Sequence, residues 1–129
     1  MKKLLILLTL TISSCVGVEP STVIQQGGQK PTKEQTASYV KQYLDENLLD
    51  RESLRSLKIK EVFAGRYGWD DRGWVACYQY NAKNTMGGFG GLSRDTILIK
   101  KDGKFKDPTP MAESWATECE NQKWIYEQR

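Results

Sequence analysis

The chain has 129 residues, of which 39% are hydrophobic and 27% charged, a composition typical of one small globular domain rather than a disordered chain. Its formal net charge of +3 is far from the dense basic stripe of a nucleic-acid binder, so no nucleic-acid partner is expected. The chain contains no histidine, which removes the most frequent catalytic base and a frequent zinc ligand. We expect no catalytic residue, no metal and no cofactor.

The first fifteen residues have the order of an export signal. Two lysines are followed by a largely apolar stretch over residues 4–12, then by two serines and Cys15. This stretch is too short to cross a hydrocarbon core about 30 Å thick, and its order is that of a segment removed on export. We therefore expect residues 1–14 to be a signal peptide. An ordinary signal peptide that ends near a cysteine is the alternative.

The end of this leader, residues 12–15 (ISSC), resembles the lipobox of bacterial lipoproteins. The resemblance implies cleavage before Cys15, a diacylglyceryl group on its sulfur, and an acyl chain such as palmitate on the new amino terminus. Two or more chains anchor a protein stably in a membrane, whereas a single chain binds reversibly. Because Val16 follows the cysteine, the resemblance also implies a cell outer membrane lipoprotein that faces the periplasm.

The lipidated cysteine and a flexible tether are expected over residues 15–31, because residues 16–31 contain proline and glycine without a sustained apolar period. Residues 32–129 are expected to form a single domain. Its first helix is predicted over residues 32–49, beginning with a Thr32-x-x-Gln35 capping box. Steps of three and four residues place one set of side chains on its buried face: Ala37, Val40, Tyr43, Leu44 and Leu48. A short turn is predicted within residues 50–56.

Strands are predicted in the middle of the chain. Residues 57–67 form a half-buried strand, and a turn at residues 70–73 leads to a central strand over residues 74–82. Residues 96–101 are expected to pair with residues 104–106 across a two-residue type I′ turn. A closing helix is predicted over residues 111–126. The predicted fold is α+β, a small antiparallel sheet of three to four strands flanked by an N-terminal and a C-terminal helix.

Two cysteines remain once Cys15 carries lipid. Cys77 lies in the predicted central strand, and Cys119 lies on the apolar face of the closing helix beside Trp115. In an exported, oxidising setting an even pair of this kind predicts a disulfide. A reactive or metal-binding thiol pair is the alternative, although the chain has no C-x-x-C spacing and no histidine to complete such a site.

The segment from Asn81 to Gly91 is the candidate binding region. Its sequence, NAKNTMGGFGG, follows an aromatic-rich stretch that includes Trp69 and Trp74. Four glycines in five residues indicate positive φ angles or close approach of another surface. One interpretation is a wide hairpin loop with Asn81 and Asn84 in left-handed or Asx-turn conformations. The other is a docking loop in which an exposed aromatic side chain anchors a partner, with candidate residues Lys83, Met86, Phe89, Trp69 and Trp74.

This segment resembles a C-x-x-x-NAKN-x-x-GG-x-x-G stretch of small secreted or lipid-anchored proteobacterial proteins. The matching residues are Cys77, Asn81, Ala82, Lys83, Asn84, Gly87, Gly88 and Gly91. The resemblance implies a fold and an envelope location, and it implies no activity.

We expect a non-enzymatic binding module with an envelope protein or glycan as partner. The alternative is an inhibitor, immunity or exclusion lipoprotein, and a purely structural lipoprotein is a further hypothesis. A small glycan or peptide hydrolase that uses Glu61, Asp70 and Asp71 is less favoured, because adjacent aspartates are typical of turns. The lysines of the last hairpin, at positions 100, 101, 104 and 106, protect a strand edge or, alternatively, contact anionic lipid or glycan.

Overall fold

The computed structural model describes residues 20–68, 71–84, 86–106 and 113–129. Within them the chain forms three helices and one antiparallel sheet, so the predicted α+β class is confirmed. The sheet has six strands instead of three to four. The predicted signal peptide, Cys15, Trp69 and Asp70 lie outside the described residues. None of the described helices has the length and apolar character needed to cross a bilayer.

The first helix, α1, covers Pro20–Gly27 and begins with a proline, whose fixed φ suits the first helical position. Its Val23 side chain is fully buried. The Gln26 side chain accepts a hydrogen bond from the backbone N–H of Arg72 at 2.9 Å. The prediction of a flexible tether through residue 31 is therefore wrong for this helix. Among the described side chains of α1 the buried apolar one is Val23, and neither this residue nor a polar contact with a distant strand produces a periodic pattern in the sequence.

The second helix, α2, covers Lys33–Asn47 and has the predicted capping box between Thr32 and Gln35. Residues 36, 37, 40 and 44 are buried, which confirms the predicted face at Ala37, Val40 and Leu44. The predicted short turn is a 3₁₀ turn at Arg51–Ser53.

Strand β1 covers Arg55–Lys60, β2 covers Phe63–Tyr67, and both pair antiparallel with the long strand β3, Asp71–Asn81. Ile59 pairs with Tyr78 and Phe63 with Val75, so one extra residue separates β1 from β2. This bulge divides the single strand predicted over residues 57–67.

The prediction of a turn at residues 70–73 is wrong for residues 71–73, which belong to β3. Tyr67 pairs with Asp71, and Arg72 and Gly73 already belong to β3. Asp71 forms a salt bridge with Lys100. A Cβ atom at Gly73 would clash with the carbonyl oxygen of Ile99, so this glycine permits close strand approach instead of a turn.

Strand β4 covers Ser93–Ile99 and β5 covers Phe105–Lys106. They form the predicted hairpin, with Ile99 paired to Phe105. The connection is a 3₁₀ turn at Lys101–Gly103 that ends with Gly103 at a φ of 72°. It is therefore a three-residue loop closed by a left-handed glycine, and the two-residue type I′ turn is wrong.

Helix α3 covers Glu113–Asn121 and strand β6 covers Trp124–Gln128. The prediction that the closing helix continues to residue 126 is wrong, because Tyr126 pairs with Ile59 of β1. Aromatic side chains such as Trp124 and Tyr126 favour strands, and pairing with β1, which is distant in the sequence, makes this segment a strand instead of a helix.

The strand order is β5-β4-β3-β1-β6, with β2 beside the first half of β3. One face of the sheet packs against α2 through buried side chains that include Ala76, Tyr78 and Ile97. The other face has a smaller cluster of Val75, Cys77 and Leu98, against which Cys119 packs. This arrangement confirms that β3 is central and apolar on both faces.

Candidate functional site

The candidate site is the connection between β3 and β4, residues 82–92, which we call the presented loop. It lies at the end of the sheet where β3 ends, β4 begins and β1 begins, since Tyr80 pairs with Ser93 and Asn81 with Arg55. Helix α1 lies at the opposite end, where β3 begins and its second residue, Arg72, bonds to Gln26. We call these the loop end and the α1 end of the sheet.

Asn84 organises the presented loop. Its side-chain oxygen accepts hydrogen bonds from the backbone N–H groups of Met86 at 3.0 Å and Gly88 at 3.2 Å. Its own backbone N–H donates to the carbonyl oxygen of Gly88 at 2.9 Å. These contacts confirm the predicted Asx turn at Asn84, whereas Asn81 is the last residue of β3 and is not left-handed.

The presented loop is tied to the body of the domain at two points. The backbone N–H of Lys83 donates to the Ser53 hydroxyl at 2.9 Å, and that hydroxyl donates to the carbonyl oxygen of Asp50 at 2.7 Å. The guanidinium carbon of Arg55 lies 4.4 Å from the centre of the Phe89 ring. The loop is therefore positioned by the 3₁₀ turn and by the first residue of β1.

Apolar side chains remain exposed on this ordered loop. The exposed fractions are 92% for Met86, 57% for Leu92 and 37% for Phe89. We call these three residues the apolar tip. Single exposed apolar residues are common on protein surfaces, but several on one short, hydrogen-bonded loop are typical of an interaction site. The positive charges of Arg55 and Lys83 adjoin the tip.

The structure brings some of the predicted binding residues together and separates others. Lys83, Met86 and Phe89 lie in the presented loop, and an isolated bridge pairs Lys83 with Phe89. Trp74 lies near the α1 end, where its indole N–H donates to the carbonyl oxygen of Gly28 at 3.1 Å. This contact makes Trp74 part of the packing between α1 and the sheet, away from the loop. Trp69 lies outside the described residues.

Two participants in this site were missed by the sequence analysis. Leu92 follows directly on the glycine-rich segment, so an apolar residue beside the loop was a usable signal. Arg55 left no such signal, because its place over Phe89 depends on the pairing of β1 with the end of β3.

A disulfide joins Cys77 of β3 to Cys119 of α3, with the Cα atoms 5.9 Å apart. A cleft of about 290 Å³ lies beside it and is lined by residues that include Lys60, Thr96 and Trp124. The ammonium group of Lys60 donates to the carbonyl oxygen of Cys119 at 2.7 Å and lies 4.7 Å from the centre of the Trp124 ring. No sequence pattern predicts this cleft, because its lining comes from several separate strands and from α3.

Two of the three carboxylates considered for hydrolysis, Glu61 and Asp71, are held in ion pairs. Glu61 accepts a hydrogen bond from Lys30 at 2.9 Å, and this bond together with the lysine charge lowers the pKa of the Glu61 carboxyl. Asp71 is paired with Lys100, and Asp70 lies outside the described residues. Within the described ranges no group of three or more Cys, Asp or Glu side chains is arranged to hold a metal ion.

Tyr80 lies at the loop end, as the second-to-last residue of β3. Burial raises the pKa of its hydroxyl, and the nearby Asp95 carboxylate raises it further. Its ring stacks on Tyr78 with the ring centres 6.0 Å apart. The strand beneath the presented loop is thus packed with aromatic rings.

Comparisons with protein-family models, with curated proteins and with solved structures give no match.

Proposed function

We propose that the protein is a non-enzymatic binding module of the bacterial cell envelope, anchored by lipid on Cys15. Its presented loop binds an envelope protein or glycan. The observation that carries this proposal is the combination of order and exposure in one segment: Asn84 fixes the loop with hydrogen bonds, yet the Met86 side chain is 92% exposed.

The physics of recognition favours this arrangement. A loop that is already ordered loses less conformational entropy on binding than a flexible one. Aromatic and arginine side chains are enriched among the residues that dominate binding energy, and Phe89 and Arg55 lie in contact here. An apolar tip bordered by positive charge suits a partner with an apolar pocket and an acidic rim.

The carboxylates give little support to the hydrolase alternative. A general acid that works near neutral pH needs a raised pKa, and the pKa of Glu61 is lowered. The Asp71 carboxylate forms an ion pair with the ammonium group of Lys100. Turnover of purified peptidoglycan that is lost on D71N replacement would instead support the hydrolase.

The shape of the loop favours one more specific version of the proposal. The bridge between Lys83 and Phe89 brings the two sides of the loop together, with Met86 between them in the chain. A narrow projection of this kind fits into a cleft of a target, as in an inhibitor, immunity or exclusion lipoprotein. Protection of growing cells by expression of the protein, lost in a Met86→Ser, Phe89→Ser variant, would favour this version.

The proposal is tested in two independent steps. Metabolic labelling with a fatty-acid analogue should mark the wild-type protein and leave a Cys15→Ser variant unmarked. For the loop, Met86→Ser with Phe89→Ser should abolish recovery of the partner from envelope extracts. Ile24→Ser is a matched control, since Ile24 is also exposed but lies on α1. Equal recovery with both variants would overturn the loop assignment.

A further inference from the structure

We infer that the α1 end of the sheet faces the lipid headgroups and that the presented loop projects away from the membrane. The inference rests on the proposed lipid anchor at Cys15. It is carried by the position of the first described element, because α1 starts at Pro20, five residues after that cysteine.

Five residues limit the distance between the lipid and the domain. A fully extended chain spans about 3.3 to 3.6 Å per residue, so Pro20 lies within about 18 Å of Cys15 in any conformation. A free tether through residue 31 would give more than three times that reach by the same rule. The folding of α1 therefore shortens the linker between Cys15 and the domain, and it brings the domain close to the membrane surface.

Helix α1 is fixed to one end of the sheet, so the attachment point does not move freely around the domain. A Cβ atom at Gly27 would lie 2.8 Å from the Cα of Gly73, which shows how closely the helix and β3 pack. The carbonyl oxygen of Gly28 accepts from Trp74, and the Gln26 side chain accepts from Arg72. All these partners belong to the start of β3.

The presented loop lies at the other end of the same strand. β3 has 11 residues, and at about 3.3 Å per residue it separates the α1 end from the loop end by about 33 Å. With α1 near the headgroups, the length of β3 separates the apolar tip from the membrane surface. The partner of the loop is then a periplasmic protein or glycan and not the lipid surface itself.

The surface at the α1 end suits a layer of phosphate groups. Lys101 and Lys104 are exposed in the hairpin turn, and the Lys101 side chain lies beside Gly28. Arg66 is exposed and pairs across the strands with Arg72. Among the described side chains, Arg66, Lys101 and Lys104 have no acidic partner within salt-bridge distance. Basic groups of this kind are attracted to anionic headgroups.

The test uses the processed, lipidated protein in nanodiscs whose lipid headgroups carry a short-range nitroxide quencher. A fluorophore is attached through an unnatural amino acid at position 104, at position 86, or at the exposed position 38 on α2. We expect strong quenching at position 104 and the weakest quenching at position 86. Equal quenching at 104 and 86, or stronger quenching at 86, would overturn the inference. A change in the fluorescence at position 104 that develops only at high protein density in the nanodisc would also overturn it. Such a change would show that a second copy of the protein, and not the lipid, covers this end.

A linker variant separates the effect of chain length from that of charge. Insertion of a Gly-Ser linker of about 20 residues before Pro20 should reduce quenching at position 104 several-fold, because such a linker alone has a root-mean-square span of about 25 Å. Unchanged quenching at position 104 would contradict the inference, because the contact with the headgroups would then not depend on the short segment between Cys15 and Pro20. Partner recovery through the loop is measured without nanodiscs, so failure of the orientation and failure of the proposed function give different results.

Discussion

Arg55 and Phe89 are in contact across the loop end of the sheet, with the guanidinium carbon 4.4 Å from the ring centre. Arg55 is the first residue of β1, whereas Phe89 lies within the glycine-rich part of the presented loop. The contact is a cation–π interaction, and it covers one face of a ring that remains 37% exposed. It holds the aromatic side chain of the apolar tip in a defined place.

Replacement of Asn84 with alanine should loosen the presented loop and leave the sheet intact. The variant loses the side-chain hydrogen bonds to the N–H groups of Met86 and Gly88, each of which contributes about 0.5–1.5 kcal/mol of net stability. Hydrogen exchange should accelerate at the amides of residues 86 and 88. Asn47→Ala is the matched control, because the Asn47 amide donates to the carbonyl oxygen of Tyr43 in α2. Unchanged exchange in the Asn84 variant would contradict an organising role.

The disulfide should contribute a large share of the stability. Replacing both Cys77 and Cys119 with serine opens a loop with a sequence separation of 42 residues, and we expect a loss of about 2–4 kcal/mol in the free energy of unfolding. Urea denaturation of the wild-type protein with and without reductant measures the same quantity. Coincident transitions in the two conditions would show that the bond is absent or without effect.

The close packing of α1 on β3 predicts that alanine at Gly27 destabilises the domain, whereas alanine at Gly88 in the presented loop does not. Gly27→Ala places a methyl group 2.8 Å from the backbone of Gly73 and should destabilise the domain by about 1–3 kcal/mol. Gly88→Ala meets no heavy atom within 4 Å and should leave stability unchanged or slightly raised. Urea unfolding midpoints compare the two variants. If α1 were a free helix, alanine at position 27 would not destabilise the domain, because alanine favours helices over glycine.

The pair of Glu61 and Lys30 predicts a small acid-dependent contribution to stability. The hydrogen bond and the charge of Lys30 lower the pKa of Glu61 in the folded protein, so the ionised carboxylate is favoured there. The contribution is fully present above the unfolded pKa and is lost as the pH falls through the folded pKa. In Lys30→Met the pKa of Glu61 should rise towards its ordinary value in an NMR titration. An unchanged pKa would show that the pair does not form in solution.

Local signals in the sequence were sufficient for α2 and for the turn at Asn84. The capping box of Thr32 and Gln35 lies within one helical turn, and the Asn84 side chain bonds to residues two and four positions away. Such contacts form between neighbours in the chain, so their residue types predict them directly.

Long-range contacts decide the elements that the sequence did not reveal. Tyr126 is in a strand because it pairs with Ile59, and α1 is held by partners in β3 that lie 46 positions away. The same holds for Trp74, whose aromatic character suggests a binding residue, whereas its indole N–H donates to the carbonyl oxygen of Gly28. A single sequence has no record of which distant segments meet.

Site-specific photo-crosslinking in living cells tests the central claim most directly. A photoreactive amino acid replaces Met86 in the lipidated protein, and in a control it replaces Ser38, which is exposed on α2. We predict one discrete cross-linked envelope partner from position 86, absent from position 38 and lost when Phe89→Ser and Arg55→Ala are added. The same products from positions 86 and 38, or no product from position 86, would contradict a binding role for the presented loop.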